Sequence, residues 1–177
     1  MKNTIFLFAI FFLTSCVGVE PLSEYDKKTD FNTFKTFTIC ESISDVPYKY
    51  EMYDNAESRK IMKEILIDQM QSYGYVHDEL SPDLLVSYEL KFNDIVLKYT
   101  ECRRSYEYQV WEGCKIVEYP FTEGTMILTI MENTFSQIVW IGSLEGPWVD
   151  SEETRYERSM RSFIRNLFKN FPKEKSV

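Results

Sequence analysis

Histidine is almost absent from this sequence, which contains only His77 in 177 residues. Histidine is the commonest general base in enzymes, and a catalytic nucleophile needs such a base held in position beside it. With a single histidine, this sequence offers little material for a catalytic centre of that kind. The six glycines stand singly, so no phosphate-binding glycine loop occurs, and no Gly-x-Ser-x-Gly segment is present. We therefore expect a protein that is not an enzyme and that carries no cofactor.

Positive charge is also scarce, with 20 Lys and Arg residues against 28 Asp and Glu and a net charge of -8 at pH 7. A surface of this sign repels the phosphate backbone, so we expect no nucleic-acid partner. The chain is nevertheless suited to folding, since 44% of its residues are hydrophobic and 16% are aromatic. Its 177 residues indicate one domain, because domains commonly contain about 100–200 residues.

Long apolar runs are missing as well. Residues 5–13 are apolar and follow a basic start at Lys2, whereas a membrane-spanning helix needs about 20 such residues. A basic start and a short apolar run are typical of a secretory signal peptide. The next residues, Leu13-Thr14-Ser15-Cys16, resemble the lipobox of bacterial lipoproteins, in which the cysteine sulfur carries a diacylglyceryl group.

This pattern predicts a lipid anchor. We expect residues 1–15 to be removed, Cys16 to be lipidated and residues 16–24 to act as a tether. Two or more acyl chains hold a protein stably on a membrane, so the membrane is the first expected partner. The alternative is an ordinary signal peptide in which Cys16 has no such role.

Three further cysteines, Cys40, Cys102 and Cys114, would lie in a compartment that permits disulfides. Cys102 and Cys114 flank a predicted connection between strands and are the preferred pair. Closing so short a loop stabilises by roughly 3 kcal/mol. Three free thiols are the alternative. No Cys-x-x-Cys pair or His/Cys cluster occurs, so we expect no metal site.

Hydrophobic periodicity predicts the secondary structure. Strands are predicted at 34–40, 84–92, 124–132 and 137–144, and Tyr106, Tyr108 and Val110 suggest a further strand. The strand at 84–92 is expected to continue to Tyr99 past a bulge at Asn93–Asp94, and the sheet to end at Gly146–Pro147. One helix follows a cap at Asp54 and ends near Gly74, and a second follows Asp150 and Glu153 and stops at Pro172.

Two amphipathic helices and a sheet with one apolar face pack most simply as a two-layer α+β sandwich. We expect both helices on one face of a mostly antiparallel sheet, in the order β-α-β-β-β-β-α. The domain is predicted to span residues 25–172, with a short tail at 173–177.

Aromatic residues concentrate in the two least regular segments and predict a binding surface, since tyrosine and tryptophan make adaptable contacts. The predicted surface residues are Tyr48, Tyr50, Tyr106, Tyr108, Trp111 and Tyr119. The alternative is that these side chains cover sheet edges and seal the core.

Two charged groups are weaker candidates. His77 with Asp78, Glu79 and Asp83 could support hydrolysis, although a solvated loop is the better explanation of these residues. A basic stripe on the second predicted helix, Arg158, Arg161, Arg165 and Lys169, could face anionic lipid. A solvated helix face is the simpler interpretation of that stripe.

Several short motifs occur together in order: Asp30–Phe37, Gly74–Tyr75, Pro82–Tyr88, Gly124–Glu132, Ile138–Gly142 and Phe171–Pro172. Behind a lipobox, this order resembles domain of unknown function 4136, which is common in lipid-anchored envelope proteins of Gram-negative bacteria. The resemblance covers roughly residues 25–172, and the segment 101–121 does not fit its pattern. It implies an outer-membrane lipoprotein facing the periplasm, with the same fold and no assigned catalytic residue; exposure on the cell surface stays open.

The leading functional hypothesis is therefore a non-catalytic, lipid-anchored domain that binds or scaffolds another envelope component. A periplasmic carrier of a lipid or other apolar small molecule is the alternative, and a hydrolase ranks third.

Overall fold

The computed structural model describes residues 21–40, 46–102, 114–148 and 153–172. The elements described there are β1 (Leu22–Tyr25), β2 (Thr36–Ile39), α1 (Ala56–Ser72), β3 (Val76–His77), β4 (Leu84–Cys102), β5 (Cys114–Glu132), β6 (Gln137–Trp148) and α2 (Glu153–Leu167). Short 3-10 turns lie at Tyr48–Tyr50 and Phe168–Asn170. Neither helix in these ranges is long and apolar enough to cross a membrane.

The six strands form one sheet in the order β1-β6-β5-β4-β2-β3. Pairing is antiparallel from β1 to β4, whereas β2 runs parallel to both β4 and β3. The predicted α+β architecture, two helices with a mostly antiparallel sheet, is confirmed.

Strict alternation in β4 and β5 creates the face that the helices cover. The even-numbered residues of β4 from Leu84 to Phe92 are buried, while the odd-numbered residues between them are partly or fully exposed. Met126 and Leu128 of β5 are buried in the same way. Successive side chains point to opposite faces of a strand, so one face of the sheet meets the helices and the other meets solvent.

Helix α1 begins at a cap one residue later than predicted. The Asn55 Oδ1 atom accepts hydrogen bonds from the backbone N–H groups of Glu57 and Ser58, both at 3.0 Å. The Ser58 hydroxyl in turn accepts from the Asn55 N–H at 2.8 Å, which completes a capping box. The prediction of Asp54 as the cap is wrong, because its buried carboxylate instead pairs with the Arg59 guanidinium at 2.8 Å.

Helix α2 closes the core through an aromatic cluster at its C-terminal end. The helix stops at Leu167, and a 3-10 turn brings Phe168 and Phe171 inward. The Phe168 ring lies 5.3 Å from the Trp140 ring of β6 and 5.7 Å from the Tyr73 ring that follows α1. This cluster joins both helices to the sheet. The predicted helix cap at Asp150 lies outside the described residues.

The strand boundaries correct three predictions. No bulge interrupts β4, since Asn93 and Asp94 stand opposite Glu123 and Thr122 in unshifted register. The sheet continues past Gly146, which pairs with Gly124. Residues 22–24, predicted as the end of the tether, belong to strand β1 along the edge of β6. Each of these features depends on a partner strand distant in sequence, which local patterning does not reveal.

Gly142 is the position where the β6 backbone lies against the Trp140 ring. A Cβ atom there would meet the ring at Cη2 and at Cζ2, the latter 2.7 Å away, and Leu167 at 3.1 Å. We expect Gly142→Ala to lower the free energy of unfolding by about 1–3 kcal/mol, because Trp140 is fully buried and has no space to move. Urea denaturation measures this loss.

Gly146→Ala is the matched control on the same strand. The nearest atom to its new Cβ would be Phe163 Cε2 at 4.0 Å, an ordinary contact. Equal losses for the two variants would contradict this account of Gly142.

Candidate interaction surface

Strands β4 and β5 project beyond the rest of the sheet as a two-stranded arm. In the described ranges, β2 pairs with β4 as far as Val86, and β6 pairs with β5 as far as Thr122. The β4–β5 pairing itself continues without a register shift to Cys102 and Cys114. We call residues 95–102 and 114–121 the arm.

A disulfide closes the far end of the arm. Cys102 and Cys114 stand directly opposite each other in the ladder and form a disulfide, with Cα atoms 4.1 Å apart. The pairing agrees with the one expected from the sequence, and the disulfide ties the two strands together where their connection begins. Cys40 is free, and partial burial raises the pKa of its thiol.

The face of the arm that continues the open face of the sheet is apolar. Its cross-strand pairs are Ile95–Phe121, Leu97–Tyr119 and Tyr99–Val117, followed by the ion pair Glu101–Lys115. Leu97 is 53%, Tyr99 53% and Tyr119 59% exposed. We call these three apolar pairs the apolar ladder.

The opposite face of the arm is more polar. Lys98 pairs with Glu118 across the strands at 2.7 Å. At the base of the arm, the Lys49 ammonium contacts the Asp94 carboxylate at 2.9 Å. This hydrogen bond lowers the pKa of Asp94. The helix side of the arm therefore mixes charged side chains with the exposed apolar residues Val96 and Ile116, whereas the three apolar pairs stack without interruption on the open side.

A contiguous, exposed apolar surface of this kind is typical of a protein-binding site. Leu97, Tyr99 and Tyr119 are side chains of a kind that a soluble protein usually buries, yet each is more than half exposed, while Ile95, Val117 and Phe121 are partly buried. Cross-strand pairing and the terminal disulfide hold the side chains in fixed rows. The arm is therefore a preformed surface rather than a flexible loop.

The structure separates the aromatic residues predicted to form a surface. Tyr119 belongs to the apolar ladder, and Tyr48 is 88% exposed in the 3-10 turn. Tyr50 corrects the prediction, because it is 4% exposed and its ring packs 5.3 Å from Phe92. Tyr106, Tyr108 and Trp111, like Cys16 and residues 173–177, lie outside the described residues.

Sequence reasoning did not assign Leu97 and Tyr99 to a surface. Their alternation with polar residues predicts a strand, which is correct. It does not predict that the helices and neighbouring strands end before this stretch. Strand length was the available signal, since 19 residues exceed what one core layer covers.

The residues considered for hydrolysis have structural partners. The His77 ring packs 5.4 Å from the Phe37 ring, and its Nε2 atom lies 4.0 Å from Glu79. The Asp83 carboxylate accepts hydrogen bonds from the backbone N–H groups of Lys35 at 2.7 Å and Thr36 at 2.9 Å. Among the residues that the structure describes, no three metal-binding side chains come together.

The basic stripe is partly neutralised. Arg161 contacts Asp68 of α1 at 2.7 Å and Glu157 at 2.8 Å. Arg158 and Arg165 flank it on an exposed face. Arg161 thus ties the two helices together at their surface.

The space between helices and sheet, where a carried ligand would sit, is filled by side chains. Trp140, Phe37 and Phe168 are fully buried there, together with Met62 and Leu128. A ligand would require these side chains to separate. The exposed arm is the better supported site.

Comparisons with known proteins bear on family and fold. The family described as domain of unknown function (DUF4136) matches residues 22–173. No curated protein matches the chain. The fold is similar to that of a PDZ domain protein from Parabacteroides distasonis ATCC 8503, with 15% identity, 99% of this chain covered and a TM-score of 0.52. The chain spans 41% of the length of that protein.

A second similar structure is the PelC dodecamer from Paraburkholderia phytofirmans, with 8% identity and a TM-score of 0.50. The match covers 85% of this chain and 95% of that one. At these identities the likeness concerns the fold alone.

Asp83 allows a test of the contact between the start of β4 and the start of the parallel strand β2. Its two backbone hydrogen bonds lower the pKa of the carboxyl below the usual 3.8. The resulting stabilisation is present above the usual pKa and is lost as pH falls through the lowered one. We expect Asp83→Asn to lower the free energy of unfolding at neutral pH by about 1 kcal/mol, and the difference from wild type to shrink in acid.

Urea denaturation across this pH range measures the effect. Glu64→Gln, which neutralises an exposed carboxylate on α1, is the control and should change little. A loss that is the same at every pH would contradict the role assigned to the Asp83 charge.

Proposed function

We propose that this chain, which belongs to the DUF4136 family, is a non-catalytic domain that is anchored to the outer membrane through lipid on Cys16. In this proposal the domain faces the periplasm and binds another envelope protein through the apolar ladder of the arm. One observation carries it: the arm holds three stacked apolar pairs on a two-stranded scaffold, and Leu97, Tyr99 and Tyr119 among them are more than half exposed.

The energetics support binding at this face. Leu97, Tyr99 and Tyr119 each leave about half of their surface in water. Full burial of a large apolar side chain is worth about 1.5–3 kcal/mol, so covering the remaining half of each gives roughly 1 kcal/mol. Paired strands lose little conformational freedom on binding, which leaves more of this energy available for affinity.

The chemistry of the ladder fits a protein partner. Tyr99 and Tyr119 combine large apolar area with a hydroxyl group, as is common at protein interfaces. The Glu101–Lys115 ion pair stands at the end of the ladder, where a polar rim would lie. The apolar centre and charged margin together resemble the anatomy of an interface.

The proposed anchor keeps such a partner close to the membrane. Cys16 precedes the first residue of β1, Leu22, by six positions. A chain of that length spans at most about 20 Å. The sheet would then stay near the membrane surface, which favours a partner located there.

Lipid anchoring is tested by Cys16→Ala. Without the acceptor thiol we expect the protein to leave the membrane fraction and to appear in the soluble periplasmic fraction. Fractionation followed by immunoblotting measures this. Cys40→Ala is the matched control, because it removes a free cysteine without removing the proposed lipid. A Cys16→Ala variant that stays with membranes would contradict the anchor.

Binding by the arm is tested by photo-crosslinking in cells. A photoreactive phenylalanine at Tyr119 should give a discrete adduct with another protein, because this position lies on the apolar ladder. Ile116 is the control position, since it is 72% exposed on the same strand but points to the opposite face.

A substitution within the ladder sharpens that experiment. Leu97→Ser should weaken the Tyr119 adduct about fivefold, whereas Val96→Ser on the opposite face should leave it unchanged. The proposal fails if positions 116 and 119 give the same adducts.

A further inference from the structure

Among the described residues, no strand pairs with the outer edge of β4 along the arm. Strand β2 occupies this edge only as far as Val86, whose carbonyl accepts a hydrogen bond from the Cys40 N–H at 2.8 Å. In the described part of the chain no strand continues this pairing between Ser87 and Cys102. A long free edge either aggregates, is protected, or receives another strand.

The register of the sheet identifies which backbone groups face outward. Alternate residues of an antiparallel ladder direct their N–H and C=O groups to the same side. Because Val86 directs its carbonyl to the outer edge and the β4–β5 register never shifts, Asp94, Val96 and Lys98 direct theirs outward too.

We propose that two copies of this chain pair antiparallel through their outer β4 edges, centred on Val96 of each copy. The two sheets then form one continuous sheet about a twofold axis. Such an interface is isologous, so each contact occurs twice. The helices of both copies lie on the same side of the joined sheet.

Charge complementarity selects this centre. With Val96 opposite Val96, Asp94 stands opposite Lys98 of the second copy, and Lys91 stands opposite Glu101. The symmetry doubles these two pairs to four. Opposite charges placed directly across two strands are stabilising, and like charges are destabilising.

The neighbouring registers lack this complementarity. Residues whose backbone groups point outward must stand opposite residues of the same kind in the second copy. The alternative registers are therefore those in which the twofold axis passes through a different residue of β4. A centre on Asp94 or on Lys98 places that charge opposite itself. A centre on Ile95 places Glu89 opposite Glu101. A centre on Leu97 forms no pair of opposite charges within the described strand.

The existing ion pairs extend the pattern. Each Asp94 already contacts Lys49, and each Lys98 already contacts Glu118. Joining the edges at Val96 therefore places Lys49 and Asp94 of one copy in a row with Lys98 and Glu118 of the second copy. Positive and negative charges alternate along this row. On the open face, Ile95 meets Leu97 of the second copy, which brings the two apolar ladders side by side.

Charge exchange tests the proposal directly. Sedimentation velocity of the purified full chain in a density-matched detergent should show a dimer. Asp94→Lys alone places two lysines opposite each other and should raise the dissociation constant about tenfold or more. Lys98→Asp alone places two aspartates opposite each other and should do the same.

Mixing these two variants should restore association, because every position across the edge then carries opposite charges. The double variant Asp94→Lys/Lys98→Asp should also recover. Neither recovery could come from contacts inside one copy, because the exchanged charges repel Lys49 and Glu118. Lys60→Glu, an equal charge reversal on exposed α1, is the control and should not alter the dimer.

Val96→Pro tests the backbone pairing without charge. It removes an outward N–H and leaves the β4–β5 hydrogen bonds intact, so a folded monomer is expected. A wild-type chain that is monomeric at roughly 100 μM would overturn the proposal. So would a dimer that survives both single charge reversals, or a mixture of them that fails to associate. The two apolar ladders lie side by side in this dimer, so a Tyr119 adduct with the mass of two copies reports edge pairing. An adduct of any other mass reports a different protein, so failure of this proposal and failure of the proposed function are distinguishable.

Discussion

The rest of the structure depends on the antiparallel pairing of β4 with β5. Nineteen residues of each strand stay in one unshifted register, from Leu84 opposite Glu132 to Cys102 opposite Cys114. One half of this ladder supplies the centre of the sheet on which both helices pack. The other half leaves the body and forms the arm. A shift of one residue would turn the core residues to solvent and the ladder residues toward the helices.

The same alternation has different consequences in the two halves. In the body, the helices cover one face, so Leu84, Val86 and Leu90 become core. In the arm, the covering layer is missing from the described chain, and Leu97 and Tyr99 stay exposed although they are equally apolar. Exposure is therefore set by where the neighbouring elements end rather than by residue type. This difference is the physical basis of both the proposed binding face and the proposed edge pairing.

Polar groups reinforce the junctions between layers. Asp83 ties the start of β4 to the start of β2 through two backbone hydrogen bonds, and Arg161 joins α2 to α1 through Asp68. The aromatic cluster around Trp140 then fills the space between helices and sheet. These contacts hold the layers of the body together, and the arm projects beyond them.

Periodicity along the chain was sufficient to determine the α+β class, the two helices and the central strands, because those features arise from neighbouring residues. The preferred cysteine pair could also be named, since its residues flank one connection. The edge strand β1, the continuous pairing through Asn93, the burial of Tyr50 and the exposure of the apolar ladder were decided only by the tertiary structure. Each depends on which distant segment packs nearby, and no local pattern contains that information.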